Sequence, residues 1–235
     1  MPFSLTVAGV TDTLQQQHEK YEGALKAAGD AMNDVLHILS TPEFETMEGW
    51  KKKKENKSDV VYSRRFEFGK VFTLRIELDL PRQQLFDEHW DNFVETAKLN
   101  KNTSLAEKVA ILSPHAEIIH YAMKDAGLVK GRDFITARIY RRVDDDIIEA
   151  ARSFETDEVE RYKKKIRGKL ILGGGRFRVH PKDANKTIVD YLICLDFNGP
   201  DLTKPVVEST LSKFILQDAE WTREQVEKKN SENKS

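Results

Sequence analysis

The strand with the clearest alternation reads DFITARIYRR and runs from Asp133 to Arg142. Successive side chains of a β-strand point to opposite faces of the sheet. One face therefore carries Ile135, Ala137 and Ile139, and the other carries Phe134, Thr136, Arg138 and Tyr140. This alternation alone predicts that the Ile-Ala-Ile face is buried and that Arg138 points into solvent.

Strand-like segments of this kind occur on both sides of it, separated by turn residues. They cover 47–54, 58–67, 70–79, 107–113, 116–123, 132–142, 146–154, 168–180 and 187–197. Runs of consecutive strands, rather than strands alternating with helices, predict an antiparallel α+β fold.

Apolar residues at a spacing of 3.6 mark the helices. They predict an amino-terminal helix over 11–40, a helix beginning at Pro81 and a carboxy-terminal helix over 203–226. The charged stretch 155–167 is predicted to be a long loop with one helical turn, and residues 229–235 a disordered tail. Residues 1–228 are therefore expected to form a single domain.

The composition excludes several classes of protein. Among 235 residues, 38 Lys and Arg balance 39 Asp and Glu, so the basic excess of a dedicated nucleic-acid-binding protein is absent. One cysteine excludes an intramolecular disulfide framework. No apolar run reaches the length needed to span a bilayer, and the opening MPFSLTVAGVTD lacks the basic region of a signal peptide. We therefore expect a soluble, cytoplasmic protein, and a monomer.

No motif indicates catalysis, a cofactor or a metal. Cys194 lies within a strand with no histidine near it in sequence, which is typical of a small buried hydrophobic residue. The six histidines lack metal-ligand spacing. Gly173-Gly174-Gly175 lies in a predicted strand without the lysine of a phosphate-binding loop, and this position is typical of a bulge or sharp bend in the sheet.

Two lysine runs stand out. Lys51 to Lys54 lie in a predicted strand, where lysines are typical of a solvated edge. Lys163, Lys164 and Lys165 lie in the 155–167 loop, and two readings are open for them: a solvated loop, or contact with anionic lipid headgroups beside Ile166, which would dip into the bilayer.

Several short motifs occur in a fixed order between Trp50 and Trp221. They are Gly49-Trp50-Lys51-Lys52, Gly69-Lys70-Val71-Phe72, Asp79-Leu80-Pro81, Asn100-x-Asn102, Gly131-Arg132-Asp133-Phe134, Val179-His180-Pro181 and Asp196-x-x-Gly199. In this order the chain resembles the START domain family of lipid-transfer proteins, and within it the sterol-binding branch.

The resemblance implies a helix-grip fold, in which a curved nine-stranded antiparallel sheet and a long carboxy-terminal helix enclose a hydrophobic tunnel. It implies that Arg138 points into the tunnel beside an acidic partner, which reverses the prediction from alternation. The lipid-binding residues expected on this basis are Arg138, His180, Phe134, Thr136, His120 and Asn100, with Leu211, Phe214 and Ile215 on the lid helix.

The implied function is noncovalent binding of one lipid, most simply a sterol, and its transfer between membranes. The resemblance places the acidic partner of Arg138 at or next to Ile119, so either the register differs and Glu117 serves, or Arg138 pairs with another group, such as a lipid phosphate. Three alternatives remain open: a phospholipid carrier, an enzyme on the same scaffold, and a lipid-gated protein-interaction module.

Overall fold

A computed structural model describes residues 2–125, 130–199 and 203–232 of the chain. The side chains of Lys164 and Lys204 are outside this description. Three further parts lie outside the described residues. They are 126–129 within the turn predicted at 125–131, the segment 200–202 and the end of the predicted tail at 233–235.

The fold is built around one large sheet, preceded by a small hairpin. The strands are β1 (Ser4–Val7), β2 (Val10–Thr13), β3 (Lys51–Glu55), β4 (Val60–Phe66), β5 (Gly69–Leu78), β6 (Thr103–Ser113), β7 (Ala116–Met123), β8 (Arg132–Val143), β9 (Asp146–Ser153), β10 (Ile166–Arg167), β11 (Lys169–His180) and β12 (Asp183–Asp196). The large sheet has the order β3-β4-β5-β12-β11-β9-β8-β7-β6, and β10 adds a short parallel pairing with β8. The predicted antiparallel sheet is confirmed.

Five α-helices accompany these strands within the described residues. They are α1 (Glu22–Leu39), α2 (Pro42–Thr46), α3 (Arg82–Asp91), α4 (Phe93–Leu99) and α5 (Lys204–Glu232). The 155–167 loop contains one 3-10 turn, over Tyr162–Lys164, as predicted.

The helix predicted over 11–40 is wrong in its first half. A hairpin of β1 and β2 and a 3-10 turn over Gln16–Tyr21 precede α1. Ala8 and Gly9 both take positive φ angles, +48° and +75°, and this left-handed pair closes a tight two-residue turn. The β-branched residues that flank the turn then pair across the strands, which outweighs the helical spacing downstream.

The carboxy-terminal helix continues beyond its predicted end at 226, so the part of the predicted tail up to Glu232 is helical. Lys229 forms an ion pair with Glu88 of α3, and Asn230 Nδ2 donates to the carbonyl oxygen of Asp79 at 2.6 Å. These tertiary contacts keep the polar end of α5 helical, although its sequence alone predicts that it is disordered.

The sheet curves around α5. At one end of the sheet, α5 packs against β3, β4 and β5. At the opposite end, Asn100 lies just before β6 and donates through Nδ2 to Asp218 Oδ1 of α5 at 2.9 Å. Both ends of the strand order therefore reach the same helix. We call the side of the sheet toward α5 the inner face and the side covered by α1 the outer face.

Gly174 permits this curvature at the centre of the sheet. Its φ is +135°, and a Cβ atom there would lie 2.1 Å from the carbonyl oxygen of Glu149 in β9. Only glycine allows the neighbouring backbone to approach this closely. The prediction that the glycine cluster lies within a strand is confirmed.

Within residues 2–125, 130–199 and 203–232, none of the helices has a stretch sufficiently long and apolar to span a membrane.

Candidate functional site

The two sides of β12 differ in how completely they are covered. Leu192 and Cys194 face α1 and are buried in the outer core. The inner-face side chains of the same strand remain only half-buried although they are largely apolar: Val189, Tyr191, Ile193 and Leu195. The inner face therefore keeps apolar surface that the protein itself leaves uncovered.

Helix α5 lies opposite this surface. Leu211 and Ile215 are buried in the same apolar cluster as inner-face residues of β4 and β5, strands that α5 packs against, and Phe214 beside them is half-buried. The three residues predicted for the lid helix thus lie on or next to its packed face. Phe214 and Ile215 follow Leu211 by three and four residues, and these spacings keep side chains on one side of a helix.

Phe134 and Thr136 extend the inner face onto β8. Thr136 pairs with Ile119 of β7, and Phe134 pairs with Tyr121. Both predicted residues lie on the side of β8 opposite Ile135, Ala137 and Ile139, which pack under α1. The alternation of β8 was therefore read correctly, but both faces of the strand are buried.

Arg138 points inward, as the resemblance implies, and is only 3% exposed. Its Nε donates to Glu117 Oε1 at 2.9 Å, and Glu117 is its direct cross-strand neighbour. The open question about its acidic partner is therefore answered by Glu117. The guanidinium also lies over the rings of Trp90 and Phe93, 4.2 and 4.7 Å from their centroids.

Further acceptors surround Arg138. Nη2 donates to the carbonyl oxygen of Trp90 at 2.6 Å, and Nη1 lies 3.4 Å from both the carbonyl oxygen of His89 and Glu149 Oε1. These carbonyls belong to the end of α3, so Arg138 also anchors that helix end. Burial alone would raise the pKa of Glu149, but the charges and hydrogen bonds of His89 and Arg138 hold it below its usual value.

A second polar cluster lies beside α5, and sequence reasoning found only one of its members. Asn100 is buried, holds Asp218, and accepts a hydrogen bond from the backbone N–H of Asn102 at 2.9 Å. Burial raises the pKa of Asp218, against the opposing effect of the Asn100 hydrogen bond. Burial also raises the pKa of Tyr121 to about 12, and the charge of Asp218 contributes to that rise.

Tyr191 lies on the inner face of β12. Burial raises its pKa, and the charges of Asp218, Tyr121 and Glu149 add to that rise. The available signal was an aspartate three residues after Ile215, on the apolar side of a predicted helix. Sequence reasoning did not use it.

His120 does not line the inner face, which corrects the expectation. It pairs across strands with Ile135, whose side chain lies under α1. Its Nδ1 lies 2.9 Å from Glu107 Oε1 and its Nε2 lies 3.1 Å from Asp133 Oδ2. Arg167 and the backbone N–H of Tyr162 also donate to Asp133, so His120 belongs to a buried outer-face cluster that holds the 155–167 loop.

His180 is also removed from the inner face, against the expectation from the resemblance. It lies at the end of β11, where Nε2 is 3.4 Å from Glu77 Oε2, and Glu77 points away from the inner-face residue Ile76. His180 instead borders an open depression of about 550 Å³ between two turns, together with Asp145, Arg178 and Pro181 among others. The described residues that line this depression include several charged side chains, and none of them is a hydrogen-bond partner of Arg138.

The expected membrane-contact residues differ in exposure. Lys163 is exposed, with a left-handed backbone, and Lys165 is half-buried with its Nζ 3.3 Å from Asp125 Oδ1. Ile166 is half-buried in β10 rather than projecting from a loop. The side chain of Lys164 lies outside the description.

The cysteine thiol and the metal-ligating side chain types form no reactive site within the described residues. Burial raises the pKa of Cys194 to about 11, so its thiol stays protonated at neutral pH. Within the residues that the structure describes, no group of three or more His, Cys, Asp or Glu side chains has the arrangement of a metal site.

Comparison with known proteins identifies the fold. A model of the START domain matches residues 32–229. Steroidogenic acute regulatory-like protein 1 of Caenorhabditis elegans is 32% identical over 222 residues, covering 94% of this chain and 85% of that protein. The mitochondrial steroidogenic acute regulatory protein of Equus caballus is 27% identical over 230 residues, covering 95% and 77% respectively.

A solved structure agrees with this assignment at the level of the fold. Human StAR-related lipid transfer protein 5 superimposes with a TM-score of 0.68 at 18% identity, covering 85% of this chain and 97% of that chain. Since the family model spans most of the chain and a relative above 30% identity covers nearly all of it, this chain belongs to the START domain family.

Proposed function

We propose that the protein binds a single lipid, a sterol, between the inner face of the sheet and α5, and transfers it between membranes. The observation that carries this proposal is the incomplete cover of β12, whose inner-face Val189, Ile193 and Leu195 remain half-buried beneath the helix. Apolar surface that a protein leaves uncovered in its interior favours an apolar ligand. The names of the relatives, which refer to steroidogenesis and to lipid transfer, are consistent with it.

The free energy of exposing a sterol to water favours a carrier that encloses its ligand. A sterol of about 27 carbons, at about 0.8 kcal/mol per buried methylene-like group, costs about 20 kcal/mol to expose to water. A carrier that covers most of this surface removes that barrier to crossing the cytosol. Such a carrier needs no catalytic group, only an apolar cavity and a gate.

Helix α5 supplies the gate in this proposal. Two sets of ion pairs hold α5 to the sheet: Glu208 pairs with Lys53 and Lys70, and Arg223 pairs with Asp59. The Glu208 pairs are partly solvated, and such pairs contribute little net stability, whereas Asp59 is buried and binds Arg223 through both carboxylate oxygens. Opening at the Glu208 pairs exposes the inner face without disturbing the α1 core on the other side of the sheet.

The test is lipid occupancy followed by transfer. The protein, purified from a eukaryotic host, is examined by native mass spectrometry with lipid extraction, and a one-to-one sterol adduct is expected. A one-to-one phospholipid adduct would retain the carrier and change the ligand class. If no lipid co-purifies and neither cholesterol nor phosphatidylcholine binds when offered in vesicles, the proposal fails.

The gate is tested by a cross-link. Lys70→Cys combined with Glu208→Cys places a thiol on β5 and another on α5, and a short bifunctional thiol reagent joins them. Cross-linked protein should lose cholesterol transfer between vesicles, and reduction of a cleavable linker should restore it. Each single cysteine variant treated with the same reagent is the control, and buried Cys194 does not compete for the reagent.

A further inference from the structure

The strand β3 forms one edge of the large sheet, and no described strand pairs with its open side. It pairs with β4 alone, and all five of its residues are exposed. In an antiparallel pair, about half of the residues of an edge strand direct their backbone N–H and C=O groups away from the neighbouring strand. These groups form a row of hydrogen-bonding positions that a further strand can use.

The segment 48–70, which contains β3, is strongly basic. It has eight Lys and Arg against four Asp and Glu, in a chain whose net charge is −1. The remainder of the chain is therefore acidic, and an excess of positive charge is concentrated at this edge of the sheet. An anionic partner is attracted to this edge in preference to the rest of the surface.

Several lysines of this edge are not used by the protein itself. Lys53 binds Glu208 of α5. By contrast, Lys51, Lys54 and Lys57 have no acidic partner within the described part of the chain. These side chains are exposed and lie beside the open backbone groups, so they are available to another molecule.

The cations lie on both sides of the edge. Cross-strand neighbours point to the same face of a sheet. Lys54 pairs with Val61, which belongs to the apolar cluster of the inner face, and Lys52 pairs with Tyr62, which packs against the outer core. The exposed ion pair between Lys52 and Glu55 holds Lys52 only weakly. A strand that approaches this edge therefore meets a positive charge on each of its own two faces.

The same features disfavour pairing with a second copy of the chain. Lysines on an edge strand repel an identical strand, and the register shift between Lys52 and Lys54 twists the edge locally. An edge that repels its own kind is complementary to a strand of opposite charge.

A bilayer fits this edge less well than a polypeptide does. Anionic headgroups match the charge, but they offer no ladder of N–H and C=O groups to the open backbone. Residues 51–58 also contain no apolar side chain that could enter the bilayer, as a surface-bound segment usually does. The open backbone and the charge together favour a protein partner.

We propose that the edge of β3 is a docking surface for a partner protein, which adds an extended acidic segment to the sheet as a further strand. Main-chain hydrogen bonds to β3 supply the affinity, and carboxylates on the two faces of the added strand pair with Lys51, Lys52 and Lys54. This interaction goes beyond lipid binding and does not depend on it.

The experiment uses a short fluorescein-labelled peptide of alternating glutamate and valine, and follows binding by fluorescence anisotropy at low ionic strength. The wild-type protein should bind this peptide. A second peptide has the same sequence with alternate backbone amides N-methylated, so its charge is unchanged but it cannot pair as a strand. It should bind at least about tenfold more weakly, because it lacks the main-chain hydrogen bonds.

Charge reversal locates the site. Lys51→Glu combined with Lys54→Glu should weaken peptide binding about tenfold, because two exposed attractions are replaced by repulsions. Lys26→Glu combined with Lys182→Glu is the matched control, since it changes the net charge equally at exposed positions on α1 and in the turn between β11 and β12. The control should bind the peptide as the wild type does. All four lysines are exposed, so both variants should fold.

Hydrogen exchange reports the added strand directly. On binding of the unmethylated peptide, exchange of the backbone amides of β3 should slow, whereas the N-methylated peptide should leave it unchanged. If the two peptides bind equally well, or if exchange in β3 does not change, no strand is added and the proposal is overturned.

The remaining outcomes concern the site and the class of partner. Equal loss of affinity in the control variant would show that the peptide does not bind at β3. If phosphatidylserine vesicles or a single-stranded oligonucleotide bind more tightly than the peptide and with the same dependence on Lys51 and Lys54, the occupant is a membrane or a nucleic acid. Absence of peptide binding to the wild-type protein would also overturn the proposal, and it would leave the lipid-binding function untouched.

Discussion

Removing the Arg138 guanidinium is expected to destabilise the fold strongly. Arg138→Leu leaves Glu117 and Glu149 buried without their shared cation, and leaves the carbonyl oxygens of His89 and Trp90 without a donor. Breaking a buried ion pair by removing one partner costs about 3–5 kcal/mol. A domain of this kind has about 5–15 kcal/mol of stability in total, so the loss is a large share of it.

Urea unfolding followed by circular dichroism measures this loss. With a dependence of about 2 kcal/mol per molar urea, the expected loss lowers the unfolding midpoint by about 2 M. Arg142→Leu is the control, because Arg142 lies on the same strand and the same side but is exposed, and among the described residues its side chain bonds only Gln83. Its midpoint should change by less than about 0.5 M, since exposed substitutions stay within about 0.5 kcal/mol.

A double-mutant cycle isolates the pair. Adding Glu117→Gln to Arg138→Leu should restore part of the lost stability, because the orphaned charge disappears, with a coupling energy of about 1–3 kcal/mol. The reasoning is refuted if Arg138→Leu is no more destabilising than Arg142→Leu, since the guanidinium would then be in solvent. A coupling energy of zero would show that Glu117 is not its partner.

Three further outcomes are expected. Because burial raises the folded-state pKa of Asp218, its stabilising contribution is present below about pH 4 and is lost as the pH rises through that raised pKa. Asp218→Asn should therefore raise Tm at pH 7 and leave it unchanged at about pH 3.5, and an equal Tm shift at both pH values would contradict this. Changing Lys163, Lys164 and Lys165 to Ala should slow sterol transfer from anionic vesicles while the Lys51, Lys52 and Lys54 variant does not, and equal slowing on neutral vesicles would rule out an electrostatic contact. Gly174→Ala should lower the free energy of unfolding by more than about 2 kcal/mol in urea titrations, whereas Gly23→Ala, where a Cβ meets open space, should be neutral or stabilising; equal effects would show that the close approach to Glu149 is unimportant.

Some features follow from the sequence because they depend on near neighbours. The alternation in β8 determines which side chains share a face, and α1 covers the Ile-Ala-Ile side as that pattern predicts. Turn residues determine where strands end, so the strands of the large sheet appear near their predicted bounds. The amino-terminal helix was predicted too long because two left-handed residues, Ala8 and Gly9, outweighed the downstream helical spacing.

Other features depend on which elements meet across the fold, and alternation does not encode them. Arg138 is buried because α3, α4 and the glutamates of β7 and β9 surround it. The sequence of β8 by itself contains no sign of these neighbours. His120 and His180 point away from the inner face because strand pairing and a bulge set their orientation. The tertiary structure alone decides that Asp218 meets Asn100, because the curvature of the sheet brings two residues 118 positions apart together at α5.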